Sequence, residues 1–157
     1  MPLEKNSKII DFALKDKNGK VHTLSNYNDK IVILYFYPKD NTPGCTIEAI
    51  DFTNNKDAFD QLDAIVIGIS GGNEKTKTKF CEKHGLNVLL LSEPDFEISK
   101  KYKVYSEKSF LGKKFMGIKR TTFIIQNGKI VKVFDNVKPT GHAQEVLDFL
   151  HELRNKR

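Results

Sequence analysis

The chain has little cysteine: Cys45 and Cys81 are the only two in 157 residues, and they form no C-x-x-C pair. That excludes a structural disulfide framework and a cysteine-rich zinc site. It also argues against a disulfide reductase, whose chemistry needs two neighbouring thiols. No run comes near the roughly 18 apolar residues needed to span a bilayer, and the opening MPLEKNSKII lacks the apolar core of a cleavable signal. Histidine is scarce and dispersed. His22, His84, His142 and His151 have no ligand spacing, so neither a metal nor another cofactor is expected. No repeat, low-complexity tract or long linker divides the chain, which predicts one domain over residues 1–157. Cytoplasm is the expected compartment, where a cysteine pair is more often catalytic than structural.

Hydrophobic content of 39% and charged content of 29% describe a globular chain with enough residues for a real core. The net charge of +6 comes from 26 basic and 20 acidic residues. Most of the basic residues are lysines spread along the whole chain, without a basic helix or an aromatic-basic array. They read as a solvated surface, and no nucleic-acid partner is expected.

The stretch from Ile31 to Phe52 organises the rest. Ile31 to Tyr37 is a continuous apolar run rich in β-branched and aromatic residues, the pattern of a buried strand. The chain then turns through Pro38 to Gly44 and presents Cys45 where a helix begins. Unpaired N–H groups of a first helical turn and the helix dipole favour thiolate over thiol. A free cysteine, with a pKa of about 8.5, is only about 3% thiolate at pH 7, so such help matters. Pro38 and Pro43 stiffen the loop, Gly44 allows close backbone approach, and Thr42 can place a hydroxyl beside the sulfur. A half-buried structural cysteine is the competing reading of the same residues.

Further along, Ile9 to Leu14 and Val21 to Leu24 flank Asn18-Gly19 as a hairpin. Ile47, Ile50, Phe59 and Leu62 suggest one or two helices broken near Thr53-Asn54-Asn55. Ala64 to Ser70 reads as a second buried strand, Glu74 to His84 as a helix closed by Gly85, and Leu86 to Leu91 as a third strand. Pro94 can start a small helix with Phe96, Ile98 and Tyr102 inward. Thr121 to Gln126 and Lys129 to Phe134 flank Asn127-Gly128, and Ala143 to Leu153 has helical spacing. Alternating strands and helices, then a hairpin and a last helix, predict an α/β sandwich with a mixed sheet. Asp51, Asp57 and Asp60 read as a solvated helix face. Phe110, Phe115 and Met116 read as pocket wall, as ordinary packing or as a loop contact. Lys100, Lys101, Lys103 and the terminal Arg154 to Arg157 read as exposed charge.

Pro38-x-x-x-Thr42-x-x-Cys45 resembles the active-site signature of peroxiredoxins. The longer FYPKDNTPGCTIEAIDF resembles the bacterioferritin-comigratory-protein branch, also called peroxiredoxin Q, and the likeness continues through SGGNEKTKTKF, LLLSEPD and KSFLGKKFMGIKRTTFII. The resemblance implies a thioredoxin fold and a monomeric, thiol-dependent peroxidase acting on hydrogen peroxide and organic hydroperoxides. It implies recycling by thioredoxin or a similar dithiol. Carried over by position, Cys45 would be the peroxidatic nucleophile, Thr42 would hydrogen-bond the peroxide, and Arg120 would stabilise the developing charge. Glu48 would hold the surrounding network, and Pro38 would shape the pocket. Many members of the branch carry a second cysteine five residues after the first, where this chain has Ile50. Some peroxiredoxin Q proteins place the resolving cysteine in the helix that corresponds to Glu74 to His84, so the resemblance makes Cys81 the candidate resolving cysteine, with Lys79 and Lys83 able to lower its pKa if it is exposed. The alternatives are resolution by an external thiol, with Cys81 simply packed beside Phe80, and a peroxide sensor that does not turn over.

Overall fold

The apolar runs pair as a seven-stranded mixed sheet in the computed structural model, which describes residues 2–155. In chain order the strands are β1 (Ala13–Lys15), β2 (Val21–Thr23), β3 (Ile31–Phe36), β4 (Ala64–Ser70), β5 (Leu89–Ser92), β6 (Tyr105–Phe110), β7 (Lys113–Ile118), β8 (Thr121–Gln126) and β9 (Lys129–Phe134). The sheet order is β2-β1-β5-β4-β3-β8-β9, and β6 and β7 form a separate hairpin. β3, β4 and β5 run parallel, while β8, β9 and β1 are antiparallel to their neighbours. The helices are α1 (Pro43–Asn54), α2 (Lys56–Gln61), α3 (Glu74–His84), α4 (Glu97–Lys101) and α5 (His142–Asn155).

Strand alternation explains the layers. Ile33, Tyr35 and Tyr37 belong to the core cluster that includes residues of α1, α3 and α5, whereas Val32, Leu34 and Phe36 belong to the opposite cluster with Phe12, Ile98 and Tyr102. Both faces of β3 are therefore covered, which is why its sequence is apolar throughout rather than alternating. The carboxyl end of this central strand delivers the chain into the Pro38 loop and α1.

Three of the differences from the sequence reading have a local reason. β5 begins at Leu89 and not Leu86, because Gly85 adopts φ 62° and Leu86 N–H returns to Cys81 O to close α3. Pro94 does not start a helix. Phe96, with φ 57°, precedes α4, and the buried Glu93 carboxylate accepts from Ile98 N (2.6 Å) and Ser99 N to begin it. The β6–β7 hairpin carries no strand signal in the sequence: its strands are largely exposed and lack the alternation that reveals a half-buried strand. No helix among the described residues is long and apolar enough to cross a membrane. Lys156 and Arg157, read as exposed charge, lie outside the described residues.

Candidate active site

Cys45 is the third residue of α1 and is 1% exposed. Thr42, in extended conformation, precedes the helix, Pro43 occupies its first position, and Thr46 N–H returns to Thr42 O at 2.9 Å. The Thr42 hydroxyl does not cap the helix; it donates to Lys39 O at 3.0 Å. The first turn of α1 thus has no side-chain cap, and its amides remain available to an oxygen ligand. Gly44 has a different partner from the ligand expected of it. A Cβ there would lie 3.0 Å from Arg120 Nη2 and 3.3 Å from Pro139 Cγ, so glycine makes room for the arginine.

Arg120 sits in the corner between β7 and β8, its carbonyl accepting from Val137 N–H at 3.0 Å. From 75 positions away it donates Nη2 to Cys45 Sγ at 3.5 Å and Nη1 to Glu48 Oε1 at 2.8 Å. One planar guanidinium therefore joins the thiol to the carboxylate one helical turn beyond it. A lysine ammonium lacks that fixed two-nitrogen span. Burial pulls the Arg120 pKa down, but Cys45 and Glu48 pull it up further, and the net shift is upward. Glu48 is fully buried, and burial raises its carboxyl to about 7 even against the lowering influence of Arg120. Its second oxygen and the hydroxyl of Tyr35 are both buried without a hydrogen-bond partner.

Lys108 of β6 is a residue that sequence reasoning missed. The sequence places it among the solvated lysines, yet its ammonium donates to Ile118 O at 3.0 Å and lies within electrostatic range of both Cys45 and Arg120. Burial and the Arg120 charge lower its pKa, with Cys45 opposing them. The exposed hairpin hides it, since only the pairing of β6 with β7 folds Lys108 back toward Arg120.

Cys81 lies on α3, 6% exposed, and both cysteines are free thiols within the same core cluster. Burial pushes the Cys81 thiol up. The cations that oppose this are Lys17 and Lys77; the flanking Lys79 and Lys83 are exposed. Pro38 lines a cavity of about 240 Å³ with Asp40, Gly71, Gly72 and Phe96. Phe110, Phe115 and Met116 lie on the β6–β7 hairpin outside the core, being 67%, 47% and 54% exposed. Asp51 is not part of a solvated face: its Oδ2 accepts from Ala143 N–H at 3.0 Å, tying α1 to the start of α5. Lys77 also departs from the reading of the lysines as surface, since it is completely buried. His22, His84 and His142 are each engaged locally, with Asp16, Asn41 and Thr122 respectively.

An uncapped helix start, a buried cysteine on it and an arginine bound to the sulfur can do nucleophilic thiol chemistry on a peroxide oxygen. Comparisons with known proteins agree. A profile of the AhpC/TSA family matches residues 6–134. Peroxiredoxin Bcp of Bacillus subtilis is 40% identical over 157 residues, covering 99% of this chain and 100% of the relative. Peroxiredoxin Bcp of Escherichia coli is 38% identical over 152 residues, 96% of this chain and 97% of the relative. A crystal structure of a Xylella fastidiosa PrxQ mutant superposes with a TM-score of 0.92 at 34% identity, covering 97% of this chain and 98% of that one. The chain belongs to the AhpC/TSA family, as a thioredoxin-fold peroxiredoxin of the Bcp/peroxiredoxin Q branch, and is a thiol-dependent peroxidase.

Proposed function

We propose that Cys45 is the peroxidatic cysteine, with Arg120 as its electrostatic partner. The observation that carries this reading is the Arg120 Nη2 to Cys45 Sγ hydrogen bond at the uncapped start of α1. The thiolate attacks the terminal peroxide oxygen and takes it as Cys45 sulfenic acid. The O–O bond breaks, and its electron pair leaves on the other oxygen, which is protonated to water or alcohol. Arg120 stabilises negative charge as it passes from sulfur to that oxygen, Glu48 fixes the guanidinium from its far side, and the Thr42 hydroxyl, which donates to Lys39 O, turns to hydrogen-bond the peroxide. Pro38 holds the loop rather than contributing chemistry.

Cys81 resolves the sulfenic acid in this proposal, giving a Cys45–Cys81 disulfide and water. A thioredoxin-type dithiol then reduces that bond. Two mutants of Xanthomonas campestris peroxiredoxin Q replace cysteines at its positions 48 and 84, which are 36 apart, as Cys45 and Cys81 are. Trapped-intermediate and ligand-complex structures of the Xanthomonas campestris bacterioferritin comigratory protein bear on its alkyl peroxide reduction activity. Organic hydroperoxides are accordingly proposed as substrates here beside hydrogen peroxide. The proposed form is a cytoplasmic monomer. The burial of Cys81 favours a second reading, in which an external thiol resolves Cys45. Mass spectrometry under non-reducing conditions after one equivalent of peroxide separates the two. An intramolecular Cys45–Cys81 bond supports the first; a lasting sulfenic acid or mixed disulfides only would sink it. With thioredoxin as reductant, Cys45→Ser is expected to abolish turnover, and surviving activity would refute the assignment of the nucleophile.

A further inference from the structure

Asp40 and Asn41 in the loop before Cys45 are fastened to the helix that carries Cys81. Lys77, completely buried on α3, directs its three donors to Asp40 Oδ2 (2.9 Å), Ser70 Oγ (2.7 Å) and Gly71 O (2.8 Å). The Tyr37 hydroxyl donates to the other Asp40 oxygen at 2.5 Å, and the Thr76 hydroxyl reaches Asp40 Oδ2 at 3.0 Å. At the far end of α3 the His84 ring pairs with the Asn41 side chain at 3.0 Å. The loop is thus attached at both ends of α3, and Cys81 lies between the attachments. Lys77 and Cys81 are one helical turn apart, both buried on the face that also carries Phe80.

We propose that Asp40 and Lys77 form a clasp holding the Cys45 loop against α3, and that its release gates the attack of Cys81 on oxidised Cys45. The inference rests on the reading of Cys81 as the resolving thiol. Both thiols are buried and unbonded while the clasp is closed, and in this proposal release of the clasp frees the segments that carry them to bring the sulfurs into disulfide geometry. A buried ion pair suits a closure that has to come undone. Its charges are dehydrated when closed and hydrated when open, so it holds less firmly than apolar packing of the same volume. Opening also frees the Cys81 thiol from the surroundings that keep it protonated. The step balances: Cys45 sulfenic acid and Cys81 thiol give the disulfide and one water, and Cys45 sulfur is reduced as Cys81 sulfur is oxidised.

The test separates the two chemical steps. Reduced wild type, Lys77→Met and Asp40→Asn are mixed with one equivalent of hydrogen peroxide. Reactions are quenched with acid over milliseconds to seconds, and sulfenic acid and disulfide are counted by intact mass. The expected result is sulfenic acid formation unchanged within about twofold and disulfide formation at least about tenfold faster in both variants. Disulfide formation at the wild-type rate, or both steps slowed together as from general damage, would overturn the proposal. Ser70→Ala removes one of the three Lys77 acceptors and is the milder variant if the others fail to fold; its disulfide step should also be faster. Maleimide labelling of Cys81 in a Cys45→Ser background reads the clasp without peroxide. Lys77→Met should speed labelling at least about tenfold, and unchanged labelling overturns the clasp. A wild type that never forms the Cys45–Cys81 bond overturns the resolving role of Cys81, and the labelling result still decides whether the clasp exists.

Discussion

Arg120 shows how much depends on one planar group. It contacts a sulfur and a carboxylate through two different nitrogens, so Arg120→Lys preserves charge but cannot keep both contacts. The rate of Cys45 oxidation by peroxide, followed by stopped-flow competition, is expected to fall by about 10²-fold, the usual cost of one preorganised donor at a site of developing charge. A fall of less than about threefold would remove Arg120 from the mechanism. Its partner Glu48 gives a stability prediction. The folded-state carboxyl lies at about 7 against an ordinary value of 4.5, so the folded protein binds that proton more tightly than the unfolded chain. The resulting stability is fully present below pH 4.5, declines as pH rises toward 7 and is lost above it. Its size is on the order of 3 kcal/mol. Glu48→Gln keeps an acceptor for Arg120 and removes the proton, so urea unfolding at pH 5 and pH 8 should show a smaller loss between them than wild type does. An identical loss would mean that Glu48 does not titrate in this range.

At the scale of elements, the start of α3 is built around a backbone that only glycine suits. Gly72 has φ 90°, and a Cβ there would come within 2.5 Å of Thr76 Oγ1 and 3.1 Å of Asp40 Oδ2. Thr76 and Asn73 form the capping box of α3. Gly72→Ala is therefore expected to cost about 2 kcal/mol, from backbone strain plus damage to the cap, read as a lower urea midpoint. A loss under about 0.5 kcal/mol would show that the loop relaxes freely. The elements legible in the sequence are those whose local chemistry agrees with their place in the fold: β3, β4 and β8 as apolar runs, and α3 with its Gly85 stop. Cys45 and Thr42 stand out in the sequence by their place at a helix start, whereas Arg120 stands out only through the resemblance of GIKRTTF to the family and otherwise reads as a surface charge. Lys77, Asp40 and Lys108 are not, because a buried lysine and a solvated one look alike in sequence. Their roles depend on contacts across 37 positions for Asp40 and Lys77, and on an exposed hairpin for Lys108.

The whole molecule divides mechanically into a frame and a moving part. β3, β4 and β8 lie in the middle of the sheet, are covered on both faces and include many of the least exposed side chains. The Pro38–Thr42 loop is held to α3 instead by the polar clasp and one exposed histidine contact, while α3 itself reaches the core through Phe80 and Cys81. Segments fixed by few apolar contacts open locally at a fraction of the free energy of global unfolding. Oxidation to a Cys45–Cys81 bond should therefore leave the frame intact and open only the moving part. In amide hydrogen exchange followed by mass spectrometry, the oxidised protein should keep the protection of β3, β4 and β8. It should lose at least about tenfold in α3 and the loop before Cys45. Protection lost across the sheet as well would show that the thiols and the frame form one cooperative unit. Protection retained in α3 would show that the bond forms without opening, and that the burial of Cys81 is no barrier to its chemistry.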